Sequence, residues 1–153
     1  MLRLSKLTDY AVVVLVQLAE CRMQTSPAIA ADTGIPEPTV AKVLKALAAA
    51  GLVASIRGAR GGYRLLRPLD AVPVADVITA IDGPIALTAC VEGSTVECGS
   101  SGLCPMRGRW GPVNAAITAA LSAITLADMR VSPRPHLHPL SREAALGSLP
   151  VTE

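Results

Sequence analysis

Between residues 26 and 51 proline and glycine punctuate the chain so tightly that only short helices fit. Ser26-Pro27 places a capping hydroxyl before a helix-favoured proline, Ile29, Ala30 and Thr33 follow, and Gly34 supplies a stop. Ile35-Pro36-Glu37-Pro38 then opens another helix, whose prolines are tolerated because first-turn amides have no partner inside the helix. Val40, Val43, Leu44 and Leu47 form its apolar face, Thr39, Lys42 and Lys45 its outer face, and Gly51 ends it. Two short helices around a tight glycine turn, the second basic on its outside, make a helix-turn-helix pattern. Residues 5–20 precede it with Leu7, Ala11, Val14, Leu15 and Leu18 at helical spacing and Ser5 as a cap.

Residues 52–56 and 63–66 read as two strands around Arg57-Gly58-Ala59-Arg60-Gly61-Gly62. The glycines permit the backbone of a tight hairpin tip, and Arg57, Arg60 and Arg64 put positive charge on the tip and flanks, which is a wing. Charge along the chain agrees. Residues 1–67 carry nine Lys/Arg against four Asp/Glu, residues 68–106 none against five, and residues 107–153 five against three. A basic front half carrying a helix-turn-helix and a wing points to double-stranded DNA, with helix side chains in the major groove and wing arginines on phosphate or in the minor groove. Gly61, Gly62 and Tyr63 join the candidate DNA-binding set, Tyr63 in a supporting role.

Phenylalanine is absent and aromatics make up 2% of the 153 residues, so the core is expected to be Ala, Val, Leu and Ile on closely approaching helices. Mean hydropathy is +0.47, yet the longest apolar stretch, residues 10–16, stops at Gln17, far short of the roughly 20 residues a spanning helix needs. The opening segment runs into Glu20 and Cys21 without a small-residue cleavage site. The expectation is a protein of the reducing cytoplasm with no membrane contact. Thiols there are better read as metal ligands or redox groups than as a disulfide framework.

Residues 74–81 form a further helix closed by Asp82-Gly83-Pro84. The stretch after it has no sustained period but holds Cys90, Cys98 and Cys104 among glycines and serines; a loop that long in a small domain needs a reason to be ordered. Thiolates are the soft ligands that iron-sulfur clusters and zinc select, and the lack of a Cys-x-x-Cys pair weakens zinc. Cys21 stands apart. From Pro112 a long helix is expected, with Val113, Ile117, Ala120, Leu121, Ile124 and Ala127 in one apolar stripe that needs a partner. The domains are then a winged helix-turn-helix over residues 1–83, a cysteine loop over 84–106, a dimerisation helix over 107–131 and a Pro-rich, disordered tail over 132–153. The fold class is mainly α with a small β-hairpin.

Residues 1 to about 130 resemble the IscR/NsrR group of bacterial winged helix-turn-helix regulators. The resemblance is carried by LSKLTDYAV, AGLV, RGARGGYRL, the VADVITAIDGP helix and the Cys90/Cys98/Cys104 loop, and LTACVEG through CPMRGRW is most like regulators of iron-sulfur assembly operons. It implies a homodimer through the helix after the loop, two wings on a palindromic operator, and an iron-sulfur cluster, [2Fe-2S] or [4Fe-4S], whose state changes operator affinity. The chain departs from that pattern in three places. Seven residues separate Cys90 from Cys98 where five are common, and Arg107, which stays protonated and cannot ligate, stands where one branch has a histidine ligand. In the nitric-oxide-sensing branch an aspartate of the matching Thr-Asp-Tyr segment completes the cluster; Asp9 holds that place. The third is Ala41, where a glutamate helps choose between operator classes, which implies a single class here.

The function expected is an iron-sulfur-sensing repressor of cluster-assembly or related stress genes, neither an enzyme nor a binder of small-molecule substrates. A cluster-free thiol switch through Cys98 and Cys104, or a zinc-containing regulator, is the alternative. An iron-sulfur carrier or redox protein ranks below both, because the chain has no phosphate-binding loop and no Cys/His nucleophile pair.

Overall fold

The computed structural model describes residues 3–100 and 102–130. In chain order the elements are α1 (Lys6–Glu20), α2 (Ser26–Thr33), α3 (Glu37–Ala49), β1 (Val53–Ile56), β2 (Gly62–Leu65), a 3-10 turn (Leu69–Ala71), α4 (Val74–Asp82), α5 (Gly111–Ala123) and α6 (Leu126–Met129).

Each boundary has a local cause. Ser5 caps α1 by accepting the Thr8 amide at 3.2 Å. Thr25, rather than Ser26, caps α2, which leaves Ser26 as its first residue and places Pro27 inside the first turn, where its missing N–H is harmless. Gly34 ends α2 in the left-handed region at φ 71°, with its N–H on the Ala30 carbonyl at 2.9 Å. A turn this short fixes α3 across α2, as the punctuation requires.

The core lies where α1, α2, α3 and α4 meet. Val14, Leu15, Ile29, Val40, Val43, Leu44, Leu47, Val72, Val77 and Leu126 are fully or almost fully shielded from water. No aromatic ring enters it; Tyr10 and Tyr63 pack on its border. The strands pair antiparallel, Val53 with Leu65 through Ile56 with Gly62. Gln24, just before α2, bridges to the other edge of β2: its N–H donates to the Tyr63 carbonyl at 3.0 Å and its carbonyl accepts the Tyr63 N–H at 2.7 Å. The Gln24 side chain also donates to Asp32 of α2 at 2.7 Å, which ties the wing's base to the helix-turn-helix.

The continuous helix expected over 107–131 is instead two helices. Ile124 and Thr125 are extended, and Thr125 restarts the chain as the cap of α6 in a reciprocal capping box with Asp128. The break lets the chain pair with the segment before α4, Val74 N–H on the Ile124 carbonyl and Leu126 N–H on the Val72 carbonyl, both at 2.9 Å. Leu126 is thereby fully buried, a greater gain than one more turn of exposed helix. α5 packs on α4 but buries none of its own residues. The tail expected over 132–153 lies outside the described residues.

Candidate nucleic-acid interface and cysteine loop

On α3, Thr39, Lys42 and Lys45 lie three residues apart on the side away from the core; Thr39 is half-buried and both lysines are exposed. Ala41 is exposed between them. In the hairpin Arg57 and Arg60 stand at the exposed tip and Arg64 projects from β2. None of these five cations is ion-paired with another described residue; the pairs found are Arg67 with Asp76 at 2.8 Å and Arg130 with Glu20. One helix face and one hairpin thus offer a field of unneutralised charge, the arrangement that attracts polyphosphate.

Gly61 and Gly62 have a steric role at the wing's base. A Cβ on Gly61 would lie 2.4 Å from the Ile56 carbonyl oxygen, and one on Gly62 2.7 Å from that of Gln24. Tyr63 is half-buried against the core, so its ring supports the hairpin.

The cysteine loop runs from Pro84 to α5 as a series of turns. Val91, 7% exposed, anchors it in an open groove of about 860 Å³ that Ala75 of α4 and Ala115 and Ala119 of α5 also line. Cys90, Cys98 and Cys104 are all free, half-buried thiols. The Thr88 hydroxyl, 3.3 Å from the Cys90 sulfur, and the Gly108 N–H hold that thiol below its ordinary pKa against the opposing effect of burial. The loop does not draw its donors together: among the described residues no three His, Cys, Asp or Glu side chains are grouped closely enough to hold a metal ion. Asp9 is exposed on the first turn of α1, and Cys21 lies apart at the end of that helix. An iron-sulfur cluster asks for thiolate donors, and the free Cys90, Cys98 and Cys104 match it in donor type though not in arrangement.

Two side chains to which the sequence reading gave no site role hold the loop's entrance. Asn114 of α5 donates to the Ile85 carbonyl at 3.0 Å and accepts the Leu87 N–H at 2.9 Å. Asp82, the last residue of α4, accepts from Thr8 and Ser5 at the start of α1. A lone amide side chain in the uncharged Gly111–Ala123 helix was the available signal for Asn114; nothing local distinguishes Asp82 from an ordinary helix-end residue.

A glycine-joined helix pair, a basic outer face on the second helix and an arginine-tipped hairpin define a winged helix-turn-helix DNA-binding protein. The family model of Rrf2, described as an iron-dependent transcriptional regulator, matches residues 4–131, and the chain belongs to this family. It is a transcriptional regulator, not an enzyme. It is 32% identical over 148 residues to the HTH-type transcriptional regulator IscR of Vibrio cholerae, covering 90% of this chain and 84% of that one. Among solved structures it is similar to CymR, the global cysteine regulator of B. subtilis, with 30% identity, TM-score 0.63 and 84% and 96% of the two chains covered. T. potens IscR matches at 31% identity and TM-score 0.59, over 84% of this chain and 85% of that one. No helix among the described residues is long and apolar enough to cross a membrane.

Proposed function

We propose that this regulator is a homodimeric repressor that reads a palindromic operator and senses through an iron-sulfur cluster on Cys90, Cys98 and Cys104, with Asp9 as the fourth ligand. The observation that carries the reading is the cysteine loop itself. Three free thiols sit on a segment anchored to both α4 and α5 by Val91 and Asn114, directly beside the helix that offers itself to a second copy. The family description as iron-dependent and the likeness to IscR support iron as the input.

The DNA contacts follow from the exposed cations. Thr39, Lys42 and Lys45 face the major groove, while Arg57, Arg60 and Arg64, with the Gly61-Gly62 backbone, reach phosphate or the minor groove. Val113 and Ile117 of α5 meet the same residues of a partner, which sets the two α3 helices about one turn of DNA, roughly 34 Å, apart. A bound cluster supplies a redox-active, ligand-labile centre; Asp9, a hard oxygen donor among soft sulfurs, is its most exchangeable ligand. Cytoplasmic action on genes of cluster assembly or related stress completes the proposal.

A second reading has its own support. The four thiols are unlinked, the three in the loop are not gathered, and the chain resembles a cysteine regulator. In that reading a peroxide oxidises Cys98 and Cys104 to a disulfide and is itself reduced to water or an alcohol.

Iron, acid-labile sulfide and visible absorption, measured on protein purified without oxygen, separate the two. Wild type is expected to carry both elements and to lose them with Cys98→Ala; Asp9→Ala is expected to retain the colour with altered stability toward nitric oxide. Colourless wild type that resists reconstitution with iron and sulfide would overturn the cluster and leave the thiol switch.

A further inference from the structure

Asp82 stands immediately before Gly83-Pro84, where the chain leaves the DNA-reading domain for the cysteine loop. Its carboxylate accepts the Thr8 hydroxyl at 2.7 Å and the Ser5 backbone N–H at 3.3 Å. The Ser5 hydroxyl lies 3.2 Å from that of Thr8 and accepts the Thr8 N–H, so the cap of α1 is shared between its own sequence and a residue from the far end of α4. Thr8 is 2% exposed, which makes this bond costly to lose once made. Ser5 alone already satisfies the Thr8 amide; the Asp82 bonds are additional, and what they add is a link between two elements.

Three and five residues on, Asn114 of α5 grips Ile85 and Leu87. The short path from α4 to Cys90 is thus held by α1 at one point and α5 at another. α1 in turn packs along α3, the helix that carries Thr39, Lys42 and Lys45. A movement of the loop that pulls on Gly83 reaches the first turn of α1 through this carboxylate, beside the packing of α4 on α1 and α3, and reaches α3 through α1.

We infer that Asp82 is a positioning residue that transmits the state of the cysteine loop to α1 and so to the recognition helix, an inference that rests on the sensing function proposed above. The two-state element is the Asp82–Thr8 bond, made in one state of the loop and broken in the other. Its negative charge at the N-terminus of α1 favours the made state in the absence of a pull.

The test uses the full chain and a duplex selected by the wild-type protein from a random-sequence pool. Kd is measured for protein loaded with iron and sulfide and for protein stripped with a chelator, in wild type, Asp82→Ala, Asp82→Asn and Thr8→Val. Wild type is expected to give a ratio of about tenfold between the two states, within the range of such couplings. In Asp82→Ala and in the near-isosteric Thr8→Val the ratio falls toward one while the affinity of one state is kept. Asp82→Asn, which retains an acceptor oxygen, preserves most of it. A merely structural role would weaken both states together and leave the ratio intact. Amide exchange of Thr8 and Asp9, read without DNA, should differ between loaded and stripped wild type and not between loaded and stripped Thr8→Val. A full ratio in both Asp82→Ala and Thr8→Val overturns the coupling alone. A wild-type ratio of one overturns the sensing reading and the coupling with it.

Discussion

Arg60 has no described carboxylate beside it and stands at the exposed hairpin tip, so its charge is free for a phosphate. Arg60→Ala should weaken binding to most duplex sequences alike and make the slope of log K against log salt shallower by about one per wing. An unchanged slope in a titration from low to moderate salt would remove Arg60 from the phosphate contacts. Asp82 gives a second prediction at this scale. Burial pushes its carboxyl up, but the hydrogen bonds from Ser5 and Thr8 outweigh it and leave its pKa below the ordinary value. A depressed carboxylate contributes stability above its unfolded pKa, about 3.9, and loses it as pH falls through the folded value. Denaturant unfolding should find wild type more stable than Asp82→Asn at pH 6, with the gap closing below about pH 4. A gap independent of pH would mean that ionisation of Asp82 contributes nothing. Sequence reasoning reached the exposed basic residues, because charge and helical spacing are local properties. It read Asp82 only as a helix stop and passed over Asn114, because the partners of both lie far along the chain.

At the scale of elements, α5 is the least satisfied part of the fold. Its Gly111–Ala123 sequence carries no charge and buries no residue within the chain, while Val113 is 43% exposed. A helix of that composition, packed on α4 along one side only, is the surface we propose for the second copy. Ile117→Glu should convert a dimer to a monomer in sedimentation at micromolar concentration and cost at least tenfold in affinity for a two-half-site duplex, with the helical circular dichroism of the head kept. A variant that still sediments as a dimer would place the interface elsewhere. α5 also shows why boundaries are harder to read than elements. Ile124 and Ala127 fit the apolar stripe, so periodicity carried the helix through them. The stop was written in a different code, Thr125-Leu126-Ala127-Asp128, a capping box that periodicity does not register. The helix-turn-helix and wing had less competition, since Gly34, Gly51 and the arginine-glycine run mark their turns to within a residue, and the cap of α2 falls one residue early, at Thr25.

Across the whole molecule, the bonds between Val72 and Leu126 and between Val74 and Ile124 bring the chain back to the place from which it left. Everything between them, α4, the cysteine loop and α5, is a single excursion with its ends fastened together. The cost of closing the loop inside that excursion grows only with the logarithm of its length. Deleting Thr95 and Val96, which brings the Cys90–Cys98 spacing down to five, should therefore change stability by only on the order of 0.1 kcal/mol. Thermal unfolding would report that as an unmoved midpoint, and a large drop would show that the loop's present length is built into the packing. The two extra residues between the first cysteines are for the same reason no obstacle to the fold. The consequence reaches beyond this chain. With Asp82 and the buried face of α4 kept, the loop inside such an excursion can be lengthened or shortened without disturbing the reading head, as a handle is changed without recutting the key. Proteins built this way can diverge in what they detect while continuing to read DNA with the same hand.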